Sequence, residues 1–65
     1  MKNKRGQTVT DRIEQDIEYA QNTANVKHRE VLALKVLGAV DFAVEFGLIT
    51  YKQWEQYIDK IFKLI

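Results

Sequence analysis

The sequence has no cysteine, no proline and no serine, and a single histidine, His28. Without cysteine there is no disulfide framework, no thiolate zinc site and no thiol nucleophile. Without serine the commonest hydroxyl nucleophile is gone as well. One histidine cannot build a multi-histidine metal centre. An excess of one charge is also missing: ten Lys and Arg stand against nine Asp and Glu, for a net charge of +1. With 65 residues the chain is one domain at most. A domain of ~60 residues buries only about 60% of its unfolded surface, which leaves little margin. What the sequence does have is apolar side chains, at 46% of residues. The composition describes a small helical module that acts by binding, with no cofactor and no catalytic centre expected.

Residues 1–7 are polar and basic and are expected to form a flexible tail, in which Lys2, Lys4 and Arg5 can touch phosphates. No apolar segment follows them, so a secretory signal is not expected. Residues 31–49 match a membrane span in length. Lys35, Asp41 and Glu45 interrupt them, and a charge at the centre of a span costs about 2.5–3.5 kcal/mol on insertion scales. A buried helix and a cytoplasmic location are therefore expected.

Residues 8–65 read as one all-α domain of three helices, over about 8–22, 26–46 and 51–64. Thr8 or Thr10 can cap the start of the first, and Thr8 with Asp11 resembles the signature of a helix N-terminus. Val9, Ile13, Ile17, Ala20 and Ala24 then form one narrow stripe at helical spacing. Asn22, Thr23 and Asn25 have low helix propensity and predict a break, with Thr23 or Asn25 capping the next helix. The second helix is apolar nearly all round; only Glu30, Gly38, Asp41 and Glu45 form a thin polar strip. Such a helix is expected to be surrounded. Gly38 costs about 1 kcal/mol relative to alanine inside a helix, which suggests a close neighbour.

Three signals mark the second turn. Gly47 suits a left-handed helix end, with Leu48 folding back behind it. Thr50 and Gln53 fit a capping box, and Ile49 and Trp54 fit the hydrophobic staple around it. In the third helix Trp54, Ile58, Ile61 and Ile65 predict the seam, widened by Tyr51, Tyr57 and Phe62. The apolar Leu64 and Ile65 predict a docked C-terminal turn.

Gly47, Leu48, Ile49 and Thr50, with the helices on either side, resemble the helix–GLIT–helix pattern of the short oligomerisation modules called SHOCT domains. Trp54 and Ile58 fall where such modules carry apolar residues. The resemblance implies self-association. It departs in the last helix, which is aromatic here and charge-rich there. The chain as a whole also resembles small helical accessory proteins of phages and mobile elements in low-GC bacteria, some of which are anti-CRISPR inhibitors.

Other functions fit less well. A DNA-reading helix-turn-helix needs apolar residues at inner positions of its second helix, where Gln53 and Gln56 stand, and a basic outer face, where Glu55 and Asp59 stand. General nucleic-acid binding would use Lys2, Lys4, Arg5, Lys27 and Arg29, but Asp11, Glu14, Asp16 and Glu18 lie nearby and repel phosphate. Asp41 and Glu45 share a helix face as a paired-carboxylate site would, yet no nucleophile accompanies them; they read as an acidic contact strip for a basic partner. The aromatics Phe42, Phe46, Tyr51, Trp54, Tyr57 and Phe62 concentrate in the C-terminal half, and these residue types are enriched in interface centres. The expected protein is an amphipathic helix packed on a hydrophobic helical hairpin, a homodimer or a small regulator docking on a larger host protein. The alternatives are a small nucleic-acid-binding regulator and a purely structural oligomerisation module.

Overall fold

Thr8 sets the first helix by reciprocal capping. Its hydroxyl accepts from the Asp11 backbone N–H at 3.1 Å, and its own N–H donates to the Asp11 carboxylate at 3.4 Å. These bonds satisfy two groups that a helix start leaves without partners. The computed structural model describes residues 8–65, and among them the helices are α1 (Val9–Gln21), α2 (Val26–Glu45) and α3 (Tyr51–Phe62). The tail of residues 1–7, with Lys2, Lys4 and Arg5, lies outside the described residues. No helix of the described residues is long and apolar enough to cross a membrane.

The break between α1 and α2 falls at Asn22 to Asn25. Asn25 is the cap: its side-chain carbonyl accepts from the His28 N–H at 2.9 Å. Arg29 then closes the corner. Its guanidinium donates to the Thr23 carbonyl and to the Leu64 carbonyl, both at 3.2 Å. One half-buried side chain thus ties the first connection to the last turn of the chain.

The turn from α2 to α3 has the predicted chemistry. Gly47 adopts φ +74°, a backbone region that side-chain-bearing L-residues enter only at a cost of about 1–2 kcal/mol. Leu48 N–H donates to Ala43 O at 2.8 Å and Gly47 N–H to Val44 O at 3.2 Å, which closes the end of α2. Thr50 and Gln53 cap α3 reciprocally at 2.8 and 3.0 Å. One expectation changes here. Ile49, not Leu48, enters the core, while Leu48 remains half in solvent.

The core is a single cluster where α1 and α3 meet one face of α2. It holds Ile13, Ile17 and Ala20 from α1, Ala33, Val36, Val40 and Ala43 from α2, and Ile49, Tyr57, Ile61 and Leu64. The spacing of the α2 set, three, four and three residues, is that of one helix face. Leu32, Leu37, Val44, Trp54 and Ile58 flank the cluster half-buried. α1 and α3 both pack along α2 and touch each other little. The molecule measures 31 × 29 × 14 Å, a slab about one and a half helix diameters deep. The described residues of one copy cover α2 on one side only, so the rest of the cover expected for this helix does not come from α1 and α3. The seam of α3 also differs from expectation. It runs through Tyr57, Ile61 and Leu64, and Ile65 is exposed.

Candidate functional site

At 3.6 residues per turn, the side of α2 opposite its core face carries Val31, Leu34, Lys35, Gly38, Phe42, Glu45 and Phe46. All seven are exposed. Phe42 is 56% exposed and Phe46, at the helix end, 63%. Their rings touch, with centroids 4.4 Å apart. Leu34, Gly38, Phe42 and Phe46 follow one another at four-residue steps, which makes a single ridge along the helix. Gly38 is a notch in that ridge. A Cβ built at Gly38 would meet no atom within 4 Å, so none of the described residues uses the space its missing side chain leaves.

The ridge adjoins the start of α3. Tyr51 is 65% exposed and stacks on Trp54 at a centroid distance of 5.1 Å. The Trp54 indole N–H donates to the Asp41 carboxylate at 2.8 Å, across the hairpin. Asp41 thus positions the aromatic pair. Glu45, one turn further on, makes no ion pair or hydrogen bond through its side chain among the described residues. Phe62 is exposed on the same side of α3 as Tyr51, about three turns away.

One predicted interface residue belongs elsewhere. Tyr57 is 5% exposed and sits in the core. Its hydroxyl donates to the Glu14 carboxylate of α1 at 2.9 Å. Burial first, then the hydrogen bond and the negative charge of Glu14, push the pKa of that hydroxyl up to about 12.

The predicted basic cluster is divided. Lys27 is exposed and without a side-chain partner among the described residues, whereas the Arg29 guanidinium is committed to two backbone carbonyls. A cleft of about 480 Å³ lined by Gln21, Arg29, Lys60, Lys63, Leu64 and Ile65 gathers cations and no carboxylate side chain. No three His, Asp or Glu side chains of the described residues converge as metal ligands would.

No protein-family model, no curated protein and no solved structure matches this chain.

Proposed function

We propose that the chain is a non-enzymatic protein-binding regulator that works through the open side of α2 and the adjoining Tyr51–Trp54 pair. The observation that carries this is the exposed apolar ridge, notched at Gly38. Val31, Leu34, Phe42 and Phe46 each leave half or more of their surface in solvent, and together they present roughly 500 Å². That lies within the roughly 300–600 Å² of the largest apolar patch on a typical monomer, where such patches are often functional. The aromatic end supplies the residue types that anchor interfaces, and Asp41 and Glu45 give it an acidic rim. The homodimer expected from the sequence, and a role as regulator or inhibitor of a larger host protein of the kind mobile elements encode, belong to this same proposal. Nucleic-acid binding has less support, because Arg29 is occupied and the two lysines on the open side of α2, Lys27 and Lys35, stand among apolar residues beside Glu45.

The test is a capture experiment with a control bait. Wild type and the double variant Phe42→Lys/Phe46→Lys, whose new charges suit the C-terminal end of α2, are each used as bait in extract of the native host, with an untagged second copy of the chain added. Both phenylalanines are more than half exposed, so helical content and melting temperature should stay close to wild type. Wild type is expected to retain a defined species that the variant binds at least about 30-fold more weakly, the loss of a central aromatic anchor. Equal retention by both baits would overturn the proposal.

A further inference from the structure

The charges of α2 run against its own dipole. The N-terminus of a helix favours anions and the C-terminus favours cations. α1 obeys this with Asp11 in its first turn, and α3 obeys it with Lys60 in its last. α2 does the reverse. Its first turn holds Lys27, His28 and Arg29 and no acid; its last holds Glu45 and no base. Arg29 is explained by its two carbonyls. Lys27 and Glu45 are not explained by anything within the chain, since neither has a side-chain partner among the described residues.

We infer that the open side of α2 pairs antiparallel with α2 of a second copy, an assignment that rests on this side being a binding surface. Lys27 and Glu45 are eighteen residues apart, about five helical turns, so they stand at the same azimuth on the open side. In an antiparallel pair, Lys27 of each copy lies over Glu45 of the other, and each misplaced charge meets both an opposite charge and the favourable end of the neighbouring dipole. A parallel pair would set Lys27 on Lys27 and Glu45 on Glu45.

The ridge agrees with the charges. The midpoint of residues 27 and 45 is residue 36, and about that centre Leu34 of one copy lies opposite Gly38 of the other. A protruding leucine thus meets the empty notch, twice by symmetry, as an isologous interface requires. The notch accounts for a glycine in mid-helix, where it costs about 1 kcal/mol relative to alanine. Size is adequate as well. The ridge offers roughly 500 Å² per copy, and the stems of Lys27 and Lys35 with Gly38 and Ala39 extend it toward the ~800 Å² per partner of a standard interface. With a net charge of +1, two copies repel little.

Sedimentation equilibrium from about 1 µM to about 1 mM tests this with wild type and three variants. Wild type is expected to reach twice the chain mass. Gly38→Leu is expected to stay monomeric while its melting temperature at low concentration holds or rises, because a Cβ at this exposed position meets no atom within 4 Å and leucine is the better helix former. Lys27→Glu is expected to weaken association about tenfold, by setting a second carboxylate against Glu45 of the other copy. Lys27→Glu/Glu45→Lys is expected to restore it, and both substitutions improve the helix's own end charges, so poorer folding cannot mimic the loss. A monomer throughout, a dimer indifferent to Gly38→Leu, or a double variant no tighter than Lys27→Glu would each overturn the pairing. A chain that sediments as a monomer, yet captures a larger protein through Phe42 and Phe46, overturns the self-pairing alone and leaves the wider proposal standing.

Discussion

Ile61→Ala is expected to remove about 2–5 kcal/mol of stability. A chain of this length holds roughly 3–9 kcal/mol in all. Ile61 is 0% exposed and, with Val40, is one of the two largest fully buried side chains. It belongs to the same cluster as Ile17 of α1 and Val36 and Val40 of α2. Three helices held by their own caps and turns cannot collapse fully onto the space it leaves, so the cavity penalty adds to the lost transfer free energy. Urea unfolding followed by circular dichroism should show the midpoint fall in proportion to this loss, and Ile61→Val should cost only about 0.5–1.5 kcal/mol. A loss in Ile61→Ala below about 1 kcal/mol would mean that α3 does not close the core as described.

Tyr57→Ala should be comparably severe, at about 3–5 kcal/mol, because the ring is buried and joins α3 to α1. Tyr57→Phe separates packing from polarity. It keeps the ring and removes the 2.9 Å bond to Glu14, at a cost of about 0.5–1.5 kcal/mol. It should also change the response to alkali. The hydroxyl titrates near 10 when unfolded and at about 12 when folded. Between these values the unfolded chain has released the proton and the folded chain has not. Stability from this group is therefore complete below pH 10 and is lost as the pH rises toward 12. The informative quantity is the difference between wild type and Tyr57→Phe, which isolates this one hydroxyl. That difference should shrink across the interval; a constant difference would remove Tyr57 as the titrating group.

The parts of this fold that were legible in the sequence are those decided by neighbours in the chain. Thr8 with Asp11, Thr50 with Gln53, Asn25 and Gly47 each act within four residues, and each does in the structure what its position predicts. The helix boundaries follow from them to within one or two residues. The sidedness of α2 was not legible. Its apolar residues surround it, so periodicity cannot say which of them face the core; the docking of α1 and α3 decides that. The same long-range choice moved the α3 seam from Ile65 to Leu64, drew Tyr57 inward and bound Arg29 to Leu64 O. The exposed aromatics Phe42, Phe46, Tyr51 and Phe62 could be nominated from composition, but not separated from Tyr57. One signal for the open side of α2 was present in the sequence: its end charges have the wrong sign for their own dipole.

A slab 14 Å deep also has a thermal consequence. The enthalpy of unfolding grows with the number of ordered residues, at about 0.7 kcal/mol per residue near 60 °C, and a body this small therefore melts over a wide interval. For the same reason 1 kcal/mol moves the midpoint of a domain this small by roughly 4–8 °C. Joining two such slabs doubles the enthalpy absorbed in one cooperative event. The width of the melting curve, and not only its midpoint, then reports how many chains melt together.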